Sequence, residues 1–317
     1  MFQHFWRSVL VVTLAVCCAP AAQAQDPILL RYKLEKGTTL LNRHQVENKT
    51  TQMLNGMSLD SDIMQVTIDL RAVDELDAEG TAKIKTKTDR LKTAIKIGPL
   101  GSYEFDSQKP ERDKSSTLGT ALTPFYERIV GSELQAELTS RGVVKSFTGY
   151  SQLVGDLVKD NPLARQFGAG GSDSAAKLSF QGQWVVLPEA PVKTGEKWDN
   201  PFEMEMPGLG TVKGKETVTL LAVETREGHS IAKLSISNDI SFDLNLEMGA
   251  AKVTGKVTTS NSEGSAEFDV TAGKLLSQKS KLTLTGQLSV AADGMIIPVQ
   301  VTQTVSSEQS ALDKLPE

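Results

Sequence analysis

The dominant pattern along the chain is alternation of apolar and polar side chains. Met64, Val66, Ile68, Leu70 and Ala72 form one such row, and Ile240, Phe242, Leu244, Leu246 and Met248 a second. Leu282, Leu284, Leu288 and Val290 form a third, with Gly286 in it. Ile297, Val299, Val301 and Val305 form a fourth, interrupted by Gln303. Successive strand side chains point to opposite faces, so each row predicts a β-strand with one apolar and one wet face. That is the signature of antiparallel sheet with one solvated side. Asn55-Gly56 and Asp293-Gly294 are strong hairpin-turn signals, and Glu79-Gly80 and Glu227-Gly228 weaker ones. Several rows are long for strands, which predicts curved sheet or an open half-barrel rather than a compact sandwich.

Helical signal is confined to the middle. Thr123 is placed to cap a helix with Pro124 at its first position and Phe125 and Ile129 toward the core. A second helix is expected over Tyr150 to Val158, and a short one over Ser174 to Phe180. Ser107 to Ser116 reads as a loop. Asp160-Asn161-Pro162 and Gly168 to Ser172 read as a breaker-rich linker. The expected division is a leader at 1–24, an N-terminal β half at 25–160 with helices near 122–158, a linker at 161–180, a C-terminal β half at 181–305, and a frayed polar tail at 306–317.

The halves look related. Val66-Thr67, Ala72-Val73, Glu79-Gly80 and Ala82-Lys83 recur in order as Val218-Thr219, Ala222-Val223, Glu227-Gly228 and Ala232-Lys233. Upstream, Lys36-Gly37-Thr38 parallels Thr194-Gly195-Glu196; downstream, Glu104-Phe105-Asp106 parallels Glu267-Phe268-Asp269. Shared order, not any single pair, is the argument for an internal repeat of two related curved antiparallel sheets with helices between them.

The first residues set the compartment. Arg7 precedes an apolar run from Val9 to Ala19, followed by Ala22-Gln23-Ala24, a small-x-small site that places cleavage before Gln25. The run is shorter than the ~20 apolar residues of a transmembrane helix. An uncleaved anchor, or acylation at Cys17 or Cys18, is the competing reading. Removing 24 residues from 317 leaves 293, enough for one large domain or two modest ones. Both cysteines go with the leader, so the mature chain has no thiolate or disulfide chemistry. A periplasmic or secreted bacterial protein is expected, with no transmembrane segment in the mature chain. Losing Arg7 takes the formal charge from −5 to −6. With no basic stripe to neutralise phosphates, nucleic acid is excluded as a partner.

Gly142-Val143-Val144-Lys145-Ser146-Phe147-Thr148-Gly149, the segment Leu187 to Trp198, and Phe268-Asp269-Val270-Thr271-Ala272-Gly273-Lys274-Leu275 together resemble an uncharacterised family of exported bacterial proteins, a domain of unknown function. The resemblance spans about residues 28–305 and carries over no functional residues. The phrase Phe268-Asp269 to Gly273-Lys274-Leu275, followed by an alternating strand, also resembles periplasmic lipoprotein-carrier proteins. That second resemblance implies an open β half-barrel whose concave apolar face holds acyl chains under a helical lid.

No catalytic constellation is recognisable in the sequence; among its many carboxylates, Glu203 and Glu205 included, a glycosidase-type pair set by spatial separation stays open. His44 and His229 have no partner at metal-ligand spacing. No Gly-x-Ser-x-Gly elbow occurs. The Gly208 to Lys215 stretch lacks phosphate-loop spacing, and Asp60 and Asp62 lack the rest of a calcium loop. Trp184 and Trp198 flank the Leu187–Gly195 segment, either as anchors against the sheet or lining a ligand mouth. The expectation is a non-catalytic protein without cofactor that binds or carries an apolar ligand, a lipid or acyl chain. The candidate face is Ile240, Phe242, Leu244, Leu284 and Leu288 with Trp184 and Trp198. The alternative is a structural or protein-interaction component of the cell envelope, with an envelope protein as partner; a hydrolase ranks last.

Overall fold

The computed structural model describes residues 26–159, 172–206, 210–248, 251–292 and 294–316. The leader, with Ala22, Ala24 and Gln25, lies outside the described residues, as does 160–171 of the linker. The order is β1 (Thr39–Leu54), β2 (Met57–Leu76), β3 (Ala82–Ile97), β4 (Gly101–Asp106), α1 (Thr117–Ile129), β5 (Glu133–Leu138), β6 (Val144–Thr148), α2 (Tyr150–Lys159) and α3 (Asp173–Gln181). Then follow β7 (Lys197–Met206), β8 (Gly210–Arg226), β9 (His229–Met248), β10 (Ala251–Asp269), β11 (Lys274–Ala292) and β12 (Met295–Leu312). The strands form one antiparallel sheet in the order β6-β5-β3-β2-β1-β12-β11-β10-β9-β8-β7, with β4 paired to the same edge of β3 as β5. The mainly β, open architecture with helices between the halves is as the alternation predicts. The two halves share a single sheet, joined where β1 pairs β12.

The turn chemistry explains the hairpins. Asn55 and Gly56 have φ 49° and 81°, and Glu227 and Gly228 have φ 52° and 84°. Positive φ at both central residues is what a two-residue turn needs to match strand twist.

The sheet is strongly curved. One buried core gathers Leu138, Val144 and Phe147 from one end of the sheet with Val218, Leu220 and Leu234 from the other. A strap made of residues 28–33 ties this joint. Ile28 bridges Val192, Tyr32 N donates to Ser140 O (2.7 Å), and Lys33 N donates to Gly273 O (3.0 Å). Helix α3 packs between the edge strands β6 and β7. A second core forms where α1 and α2 cover the inner face of β3 and β4, around Leu91, Ile95, Tyr103, Phe105, Leu122 and Phe125.

Three expectations change. The first helix starts six residues earlier than Thr123, because the Ser116 hydroxyl caps it by accepting from Gly119 N at 2.9 Å; Thr123 is buried inside the helix and Pro124 lies within it. Residues 306–312 are not frayed tail but the end of β12, with 306–310 paired on both sides and 311–312 paired to β1. The β2 row is turned outward. Val73 and Ile63 pack on the two cores, so Gln65, Thr67, Asp69 and Arg71 face inward while Met64, Val66, Leu70 and Ala72 face out; Ile68, in the same outward row, is nevertheless buried.

Candidate functional site

The inner face of the C-terminal half is apolar and continuous. Cross-strand register runs Val301↔Gly286, Gly286↔Val257, Val257↔Phe242 and Phe242↔Val212 across five strands. The next row toward the hairpin tips is Val299↔Leu288, Leu288↔Gly255 and Gly255↔Leu244. Directly registered residues share a face, so Ile240, Phe242, Leu244, Leu284 and Leu288 lie together there. Val212, Val257, Leu284 and Val299 are buried, while Phe242, Leu244, Leu288 and Val301 are half-buried. None belongs to either packed core. Among the described residues the helices pack mainly on β4, β6 and β7, away from this face. Glycines within it permit tight curvature. A Cβ on Gly286 would stand 2.5 Å from Lys256 O and 2.7 Å from the Val257 side chain.

The tryptophans lie elsewhere. Trp184 is part of the joint core, edge-on to Tyr32 at 5.2 Å, and Trp198 donates Nε1–H to Val186 O at 2.7 Å from edge strand β7. Neither touches the five-strand face through any described contact. Both hold the Leu187–Trp198 segment, which Arg31 and Arg141 clamp by hydrogen bonds to Pro188 O, Glu189 O and Leu187 O. The three sequence stretches that carry the family resemblance meet at this strap. Gly142 lies against Tyr32 and Val185 O, and Gly273 against Lys33.

Between the joint core and the apolar face runs a buried polar seam that sequence reasoning missed. Arg71 is 1% exposed. Its guanidinium lies over the rings of Phe180 (5.0 Å) and Trp184 (5.2 Å), donates from Nη2 to Gln183 Oε1, and stands 4.0 Å from Asp69. Asp69 accepts from Thr67 Oγ1 (3.2 Å) and Thr88 Oγ1 (2.9 Å). Burial pushes the Asp69 carboxyl up and the Arg71 guanidinium down from their ordinary values. Gln278 and Gln309 donate to Gly182 O and Gln183 O. His44, on the same face, shares a 2.9 Å hydrogen bond with Ser307 Oγ, and burial lowers its pKa to about 4. The available signal was Asp69 and Arg71 two apart within an apolar run, the spacing of one strand face.

The outer face is solvated. Lys279–Glu308 (2.7 Å), Lys213–Glu203 (2.9 Å) and Lys233–Glu224 (2.7 Å) are cross-strand ion pairs there. A groove of about 490 Å³ on this side is lined by Gln45, Glu47, Lys279 and Glu308, mixed in charge and open. His229 bonds Asp269 at 2.6 Å, and Asp269 also accepts from Ala272 N, so the pair fastens the β10–β11 turn. No group of three His, Cys, Asp or Glu among the described residues converges on a metal site. No described helix is long and apolar enough to cross a membrane.

Fold and site together define an open, curved antiparallel β-sheet protein with an apolar inner face. The chain matches a family of unknown function (DUF6263) over residues 79–296 and belongs to it. No curated protein sequence matches. Among solved structures, lipovitellin, titled for its lipid–protein interactions, is similar at TM-score 0.41 and 10% identity over 90% of this chain and 26% of that one. The β domain of the Bordetella autotransporter BrkA is similar at TM-score 0.23 and 8% identity, covering 87% and 100%. An outer membrane channel from Pseudomonas putida F1 gives TM-score 0.23 and 7% identity, covering 89% and 97%. This chain spans about a quarter of the lipovitellin chain. At these scores the likeness carries no functional argument.

Proposed function

We propose that this protein is a non-catalytic binding or carrier protein for an apolar ligand, a lipid or acyl chain, working in the periplasm or outside the cell. The observation that carries the reading is the registered apolar face of β8 to β12, which belongs to neither core. Its half-buried members Phe242, Leu244, Leu288 and Val301 form a continuous, partly exposed apolar strip, which is what a binding surface for an apolar ligand requires. The ends of the sheet support it. Met57, Leu59, Leu100, Met295 and Ile296 are exposed apolar residues at the hairpin tips beside that face. Native mass spectrometry of the protein purified from a membrane-containing extract tests the reading. Co-purifying lipid, lost when Phe242 and Leu288 are both changed to Ser in a folded variant, is the expected result. A lipid-free protein that also fails to take up added acyl chains refutes it. A second reading, an envelope component whose hairpin tips seat a partner protein, is favoured only by Met295 and Ile296, 61% and 74% exposed. Changing both to Lys would then abolish partner capture and leave lipid uptake unchanged.

A further inference from the structure

Buried polar atoms without a hydrogen-bond partner are rare in folded proteins, and each costs free energy. Five buried side-chain atoms among the described residues lack one: Arg71 Nε and Nη1, Trp184 Nε1, Gln278 Oε1 and Gln309 Oε1. All five lie on Trp184 or on side chains that meet the Gly182–Trp184 turn. Arg71 Nη2 donates to the Gln183 side chain, Gln309 Nε2 to Gln183 O (3.1 Å), and Gln278 Nε2 to Gly182 O (3.4 Å). Arg71 lies over the Trp184 ring. The unfilled polar atoms are therefore concentrated where the polar seam borders the apolar face.

We propose that Arg71 is the head-group site for a carboxylate-bearing amphiphile, a fatty-acid-type ligand whose chain lies along β11 and β12. This rests on the binding reading above and names its ligand class. The Gln183 carboxamide occupies the site from within. It offers the guanidinium one oxygen, and two of the three guanidinium nitrogens stay unpartnered. A carboxylate in its place offers two oxygens and fills a fork made of Nη2 and a neighbouring nitrogen, a pairing about twice as strong as a neutral one. Asp69 does not serve this role. It stands 4.0 Å away and its oxygens are taken by Thr67 and Thr88. From Gln309 the inward side of β12 leads through Ser307, Val305 and Gln303, whose amide is held by Asn48, to Val301 and Val299. That path is about 33 Å of strand, room for an extended acyl chain. The Arg71 nitrogens have no free surface, so binding displaces the Gly182–Trp184 turn.

The test titrates delipidated protein with oleate, methyl oleate and monoolein by calorimetry. Oleate binds roughly tenfold or more tighter than methyl oleate, the factor one charge-assisted hydrogen bond supplies. Arg71→Met removes that preference. Gln183→Leu, which deletes the internal occupant without touching Arg71, raises the preference and keeps the test open if Arg71→Met fails to fold. Equal binding of oleate and methyl oleate, preference for monoolein, or a preference that survives Arg71→Met overturns the head-group site while leaving the carrier reading standing. No binding of any of the three overturns both.

Discussion

Glu216 gives the protein a pH-dependent weakness that one substitution removes. The side chain lies on β8 opposite Asn200 of β7, on the inward side with Trp198 and Val218. Asn200 Nδ2 donates to Glu216 Oε1 at 3.2 Å, and Val186 supplies a backbone hydrogen bond. Desolvation outweighs both and raises the pKa from 4.5 to about 7. The folded state therefore holds this proton more tightly than the unfolded chain does. Its contribution to stability is intact below about pH 4.5 and is lost as pH rises through about 7. Each pKa unit is worth about 1.4 kcal/mol, and partial exposure discounts the sum, leaving a loss of about 2 kcal/mol. Glu216→Gln keeps the acceptor for Asn200 and Val186 and removes the charge. Urea unfolding of wild type and variant from pH 4.5 to 8.5 at fixed salt is the assay. The variant matches wild type at the acid end and is more stable by about 2 kcal/mol at the alkaline end. Parallel pH profiles would refute the reasoning, because every other titrating group cancels in the difference.

His44 has the opposite slope. Its pKa falls from 6.5 to about 4, so stability is lost as pH drops through that window, and His44→Gln flattens the acid limb of the same unfolding series. Gly142→Ala costs about 3 kcal/mol in denaturant midpoint, because a Cβ there meets Tyr32 and Val185 O at 2.6 Å with φ at 82°. Gly131→Ala shares that φ of 82° but has open space around it, so only the backbone penalty of about 1 kcal/mol remains. Ser116→Ala, removing the cap of α1, costs about 1 kcal/mol and lowers helical circular dichroism. Phe268→Ala, in the joint core, costs about 4 kcal/mol, whereas half-buried Phe242→Ala costs about 1 kcal/mol; equal losses would mean the inner face is closed core.

Local rules made much of the fold legible. Alternation located the strands of the C-terminal half and their inward rows, because period two is set by the backbone. Turn pairs such as Glu227-Gly228 marked the hairpins because their φ values admit few alternatives. What stayed hidden depended on contacts far apart in sequence. In β2 the apolar row faces out apart from buried Ile68, and the polar row faces in. Its direction is decided by Ile63 and Val73 at the two ends of the strand, which pack against cores built largely from other elements. Arg71 escaped notice for the same reason, since an inward arginine is recognisable only once Phe180, Gln183 and Trp184 fold over it. Five of the proposed ligand-face residues share a surface because register aligns them. Trp184 does not, because the strap draws it into the joint.

The pairing of β1 with β12 also dictates the order of assembly. Leu41 lies opposite Leu312 and Leu54 opposite Val299, so the first and last strands of the chain form the centre of the sheet. Neighbouring hairpins on either side can form as soon as they are made, but the seam between them must wait for β12. A chain folding as it is made thus stays two unjoined sheets, each with a bare inner edge, until β12 (Met295–Leu312) is available to pair β1. Those exposed edges are where a holding chaperone would act and where aggregation would begin.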